Sequence, residues 1–189
     1  MRLVFASNNP HKLQEVRQIL PATCEVVSLN DIGCSDEIEE TGETLEDNSL
    51  IKAQYIYDKY GMDCFADDTG LEIEALGGKP GVRTARWAGD DANAANNRDK
   101  ALRELQGISN RNARFRTVVT LITNGKIQQV EGAVHGQIAT KECGNGGFGY
   151  DPIFIPEGYD KTFAELPAEV KNSISHRARA MAELCKILH

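Results

Sequence analysis

Residues 2–20 read RLVFASNNPHKLQEVRQIL, and this stretch decides the fold class. Residues 2–7 form a short apolar run of strand length, whereas Leu13, Val16, Ile19 and Leu20 recur at helical spacing. Between them stands Asn8-Asn9-Pro10, where asparagine is a favoured N-cap and proline a favoured first helical residue. The spacing predicts a strand, a tight loop and a helix starting near Pro10. That arrangement presents free backbone N–H groups to an anion, and Lys12 falls in the same first turn.

The pattern repeats outward along the chain. Residues 24–29 read as a second strand, and the acid-rich stretch 36–47 leads to Thr44, the cap of a helix carrying Leu50, Ala53, Ile56, Tyr57 and Tyr60 on one stripe. Lys52 lies on the flank of that stripe, where it can reach a cleft, and Gly61 stops the helix. A strand is expected over 62–66 and a half-exposed one over 71–76, then a loop over 77–81 and a helix over about 93–105. Residues 113–123 meet Asn124-Gly125, a hairpin turn signal; the partner strand begins near Lys126, and 135–140 is read as a third strand. The stretch 144–152 is too rich in glycine for regular structure. Ser175 is placed to cap a last helix whose Ala178, Met181, Cys185 and Leu188 face the core. Strands mixed with helices over 1–189 indicate one domain of mixed α/β (α+β) class.

With 189 residues and 41% apolar content, the chain can bury a sizeable core. No apolar run is long enough to span a bilayer, and the N-terminal apolar segment is too short for a signal peptide, so a cytoplasmic protein without membrane partners is expected. Five cysteines, at 24, 34, 64, 143 and 185, form no close pair and suggest neither a disulfide framework nor a thiolate zinc site. The net charge of −7 argues against binding nucleic-acid backbone. A small phosphorylated ligand remains compatible, because local cations or a metal override net charge within a cleft.

The chemistry centres on FADDTGL, residues 65–71. Asp67 and Asp68 are adjacent, and like charges disfavour each other's ionised form. Read as a turn after a strand, Asp-Asp-Thr-Gly is a solvated corner. Read as a site at a strand end, it offers two hard oxygens suited to Mg²⁺. Glu39-Glu40-Thr41-Gly42 is either a solvated acidic loop or the source of a third carboxylate. The loop around Phe148 and Tyr150 can be a compact connection or a platform on which a planar base stacks. Lys171, His176 and Arg177 gather cations about the start of the last helix, where the helix dipole disfavours them unless an anionic or carbonyl partner is present.

Taken in order, S-N-N-x-x-K, E-E-T-G, F-A-D-D-T-G-L, G-G-x-P-G, G-F-G-Y-D-P and S-x-S-H-R resemble the inosine triphosphate pyrophosphatase family, along the chain from Arg2 to the last helix. The resemblance implies an elongated central mixed sheet with flanking helices, two lobes around a deep substrate cleft, a Mg²⁺ requirement and a homodimer. Its enzymes cleanse the nucleotide pool by converting deaminated purine triphosphates to monophosphate and pyrophosphate. Carried onto this chain, Ser7, Asn8, Asn9, Pro10, His11 and Lys12 form the triphosphate loop, with Lys52 a second phosphate ligand. Glu39, Asp67 and Asp68 match the metal carboxylates, Asp68 also being the base, and Thr69 matches a substrate contact. Phe148, Gly149, Tyr150, Asp151, Lys171, His176 and Arg177 match the part that recognises the base. Two departures are visible, Ser7-Asn8 for a frequent T-G and Thr69 for a frequent serine, and neither removes a group the chemistry needs.

Two rivals stay open on residues alone. A phosphatase of the haloacid dehalogenase type uses D-x-D, and FADDTG lacks the spacer. A non-catalytic nucleotide-binding module would bind without turnover.

Overall fold

The computed structural model describes residues 1–188. Among them, five α-helices accompany a seven-stranded mixed sheet: β1 Arg2–Phe5, α1 Pro10–Ile19, β2 Glu25–Val27, α2 Leu45–Tyr60, β3 Cys64–Ile73, β4 Lys79–Pro80, α3 Ala94–Glu104, β5 Asn112–Thr123, β6 Lys126–Ile138, β7 Phe154–Pro156, α4 Ala168–Ile174 and α5 His176–Ile187. The strand order is β2-β1-β3-β5-β6-β7, with β4 paired to β3. β1 runs parallel to β2 and β3, whereas β4 and β7 pair antiparallel with β3 and β6. Among the described residues no helix is long and apolar enough to cross a membrane.

Local signals are met where they were strongest. Asn9 caps α1, its Oδ1 accepting from the N–H groups of His11 and Lys12 at 3.0 and 3.3 Å. Thr44 caps α2 through Asp47 N at 3.0 Å, and Gly61 ends that helix in the left-handed region at φ 63°. Asn124 and Gly125 both take positive φ, as a tight two-residue hairpin turn requires.

Three expectations are corrected, and a fourth gains a neighbour. The DDTG stretch is neither a turn nor a strand end: residues 64–73 form one continuous strand, because the polar groups of Asp67 find partners on neighbouring helices instead of on the local backbone. The half-exposed strand over 71–76 stops at Ile73 and passes into a 3₁₀ turn. Residues 135–138 continue β6 and make no separate strand; the further strand is β7. Ser175 stands where the cap of the last helix was expected, immediately before α5, and its N–H also closes the short helix α4 on Lys171 O at 2.8 Å.

The chain divides into two compact units. The first comprises residues 1–68, 117–132 and the chain from Arg177 onward. Here the two-residue period of the strands sorts side chains between two cores. Leu3, Phe5, Phe65, Val119 and Leu121 pack on one side with Val16 of α1 and Met181 and Leu184 of α5. Val4, Ala6, Cys64, Ala66 and Ile122 pack on the other with Ala53 and Ile56 of α2. Phe5 and Phe65 stack, their centroids 4.8 Å apart, and both are fully buried. Phe65→Ala is therefore expected to cost about 3–5 kcal/mol in urea unfolding, as large-to-small changes in cores do; a loss below about 1 kcal/mol would show that the core collapses around the gap.

The second unit comprises residues 69–116 and 133–176. Its core joins Leu71 and Ile73 of β3, Ala101 and Leu105 of α3, Phe115 of β5 and Ile138 of β6 with Phe154 and Phe163. The other side of these strands is polar, with Arg114 paired to Glu72 at 2.5 Å. It lines an open depression of about 770 Å³ to which none of the expected site residues contributes.

Candidate active site

In the first unit the pleat of β3 decides the chemistry. Asp67 shares the parity of Phe65 and meets α1 and α5; Asp68 shares that of Ala66 and falls on the side of α2. The adjacent aspartates thus serve different neighbourhoods.

Asp67 is fully buried between cations. Lys12 Nζ lies 3.1 Å from Oδ1 and Arg177 Nε 3.5 Å from Oδ2. Burial alone would raise its pKa, but Lys12, Arg177 and Lys52 outweigh that and hold it below the ordinary carboxylate range. Arg177, itself buried, also pairs with Glu15, which lies one turn beyond Lys12 on α1. A chain of alternating charge results: Lys12, Asp67, Arg177, Glu15.

Asp68 is 7% exposed and its pKa is pushed up to about 6, first by burial, with Glu40 and Asp67 adding to the effect and Lys52 opposing it. Lys52 is buried, donates to the main-chain oxygen of Asp67 and lies 3.0 Å from Glu40 Oε1. Its own burial works to lower its pKa, yet Asp67, Glu40 and Asp68 carry it above the ordinary lysine value. For Lys12 the balance goes the other way: burial wins over Asp67, and the pKa falls.

Residues 7–12, expected as the triphosphate loop, lead into and form the start of α1. Ser7 Oγ accepts from Asn9 N at 3.1 Å, and Asn8 through His11 are exposed. Because Asn9 takes the N–H groups of His11 and Lys12, the cation available to an anion here is the Lys12 ammonium. Glu39 is exposed; its neighbour Glu40 is the one that approaches Lys52 and acts on Asp68.

In the second unit, Asp151 organises the glycine-rich loop. Its Oδ2 accepts from Phe148 N at 3.0 Å and from Lys171 Nζ at 2.6 Å, while Lys171 sits 4.5 Å from the Phe148 ring centroid. Gly147, at φ 68°, turns the chain so closely over Asp151 that a Cβ there would collide with the carboxylate. Tyr150 hydroxyl donates to Thr84 O at 2.6 Å, and burial pushes its pKa up. His176 stacks on Phe115 with centroids 4.8 Å apart. Thr69, half-buried, follows the aspartates on β3.

Three contributors were not among the expected site residues. Glu15 is legible in hindsight, being at i+3 from Lys12 on a helix face. Glu40 stood in the E-E pair, which carries no signal as to which carboxylate turns inward. Arg98, whose guanidinium reaches Gly149 O at 2.8 Å, had no local signal at all.

The fold and this arrangement define a class: a mixed α/β protein with a buried acid–base centre flanked by lysines. More narrowly, the chain belongs to the Ham1 family, whose model matches residues 3–187. A dITP/XTP pyrophosphatase of Flavobacterium johnsoniae is 50% identical over 188 residues, covering 100% of this chain and 98% of the relative. One from Bacillus subtilis is 46% identical, covering 98% and 96%. Among solved structures, a HAM1 protein from Coxiella burnetii superposes with TM-score 0.92 at 36% identity, covering 99% of this chain and 98% of that one.

Proposed function

We propose that this chain is a nucleoside-triphosphate pyrophosphatase that hydrolyses deaminated purine nucleotides (ITP, dITP and XTP) to the monophosphate and pyrophosphate. A cytoplasmic, homodimeric house-cleaning enzyme dependent on Mg²⁺ is part of the same proposal. The activity is supported by full-length relatives bearing the name dITP/XTP pyrophosphatase. The observation that carries the mechanism is Asp68, a buried carboxyl with its pKa raised to about 6 beside Lys52.

In this mechanism a water oxygen forms the new bond to the α phosphorus, and the bond from that phosphorus to the bridging oxygen breaks. Asp68 takes the proton, a role favoured by a pKa near the working pH. Lys12 and Lys52 balance the charge that develops on the departing pyrophosphate. Lys12 exchanges Asp67 for phosphate oxygens, and Asp67 keeps that lysine and Arg177 in place beforehand.

The donor set fits Mg²⁺. Among the described residues no group of three or more His, Cys, Asp or Glu is gathered to hold a metal ion. Magnesium, however, commonly takes one or two carboxylates and completes its shell with substrate phosphates and water. Asp68 and the Glu39–Glu40 segment supply such oxygens; Asp67, already held by Lys12 and Arg177, has lone pairs left on both oxygens to join them. When bound, the ion supplies charge neutralisation on the phosphates.

Base choice falls to the second set of residues. The Phe148 ring offers a stacking face, and the His176 ring nitrogens supply a donor to the 6-oxo group of hypoxanthine or xanthine. Adenine sets a 6-amino donor against them, and each buried group left unpaired costs about 1–3 kcal/mol.

A product assay tests the proposal: ITP, XTP, GTP and ATP, each with Mg²⁺ or chelator, with nucleotides, pyrophosphate and orthophosphate quantified separately. The expected result is monophosphate plus pyrophosphate from ITP and XTP, at least tenfold faster than from ATP or GTP, and lost on chelation. Orthophosphate as sole product, or binding without turnover, would overturn it. Light scattering on the purified chain reads the dimer.

A further inference from the structure

The loop assigned to the base is pinned on both sides of Gly149. Phe148 N is held by Asp151, and the Tyr150 hydroxyl by Thr84 O. Between those anchors Gly149 stands in the left-handed region at φ 62°, where a peptide plane turns easily unless something holds its oxygen. Arg98 holds it. From the N-terminal half of α3, Arg98 Nη1 donates to Gly149 O at 2.8 Å and Nε to Glu142 Oε1 at 2.5 Å. Its side chain is 17% exposed, against 40% for Glu142.

The helix that carries Arg98 is itself fixed at the neighbouring position. Buried Asn97 accepts from Ala88 N and donates to Ala85 O, both at 2.8 Å. Lys100 donates to Trp87 O at 3.1 Å and lies over that ring. One end of Arg98 is therefore on a rigid support and the other on the most conformationally free residue of the loop.

We infer that Arg98 is a positioning residue for base selection, fixing the Gly149 carbonyl so that Phe148 and Asp151 keep the geometry in which they receive the purine. This rests on the reading that residues 148–151 recognise the base. The guanidinium does not touch the reacting atoms; its effect falls on KM and on the ratio between bases, not on the chemical step.

Steady-state kinetics on the full chain with ITP and GTP provide the test. Arg98→Ala is expected to raise KM for ITP about tenfold, the order set by one charge-assisted hydrogen bond. It leaves kcat within about twofold and lowers the ITP-to-GTP ratio of kcat/KM. Arg98→Lys, which keeps one donor, should give an intermediate KM, and it carries the test should the alanine variant fold poorly. Glu142→Gln should stay within about twofold of the parent, because the anchor is the carbonyl and not the half-exposed ion pair. An unchanged KM in both Arg98 variants, or a Glu142→Gln variant that reproduces Arg98→Ala, overturns the inference. Phe148→Ala separates the two levels. Should it shift KM and the base ratio while the Arg98 variants do not, only the inference on Arg98 fails; should it shift neither, the assignment of the loop to the base fails with it.

Discussion

Asp68→Asn is expected to lower kcat for ITP hydrolysis by about a thousandfold, inside the range of about 10²–10⁴ that a positioned general base supplies. Stability should move the other way, if at all. The carboxyl is buried and its pKa is raised to about 6, so at neutral pH its ionised form is held against a solvation penalty that the neutral amide does not incur. The amide has nearly the same shape, and the side chain lies in a strand whose backbone pairing it does not alter. Kinetics and urea unfolding on the same preparation check both halves. A variant that keeps more than about a tenth of the parent kcat would remove Asp68 from the role of base. A large loss of both activity and stability would make it a structural residue instead.

What could be read beforehand follows the range of the interactions. The caps of α1 and α2, the glycine that ends α2 and the Asn124-Gly125 turn rest on contacts within a few residues, and the sequence carries them whole. The continuity of β3 was hidden because Asp, Asp, Thr and Gly are all turn formers, and their local preference is overridden by partners far away in sequence: Lys12 is 55 residues from Asp67, and Arg177 is 110. β7, with three residues, and α4, with seven, are too short to show a period.

The candidate site divides along the same line. Lys12, Lys52, Asp67 and Asp68 were recognisable as chemistry-bearing residues, but not their pairing. Adjacent aspartates posed the question of what tolerates their mutual repulsion, and a metal was the expected answer. The strand supplies another: successive side chains of an extended chain leave on opposite sides, so one aspartate is neutralised by α1 and α5 while the other faces Lys52 and Glu40. The asymmetry of their pKa values, one depressed and one raised, is the electrostatic consequence. In the proposed mechanism it lets one of the pair serve as the base while the other stays ionised.

Asp67→Ala is expected to destabilise the chain by about 3–5 kcal/mol, the range for removing one partner of a buried ion pair. The argument lies in what remains: Lys12, whose pKa burial already depresses, and the nearly inaccessible Arg177 guanidinium both lose a counter-charge inside the fold. Arg177 retains Glu15, which limits the damage; Lys12 relaxes by losing its proton or by turning to water. The pH dependence has a definite sign. A carboxyl whose folded pKa lies below its unfolded value, roughly 3.9, contributes its full stabilisation above that value and loses it as the pH falls toward the folded pKa. Urea midpoints measured in chelator between pH 7 and 3 should therefore fall more steeply below pH ~4 in the parent than in Asp67→Asn, which cannot titrate there. Parallel curves for the two proteins, or an alanine variant within about 1 kcal/mol of the parent, would show that Lys12 and Arg177 do not depend on this carboxylate. In that case the chain of charge would be a consequence of the fold instead of one of its supports, and Asp67 would be left free to serve the proposed Mg²⁺.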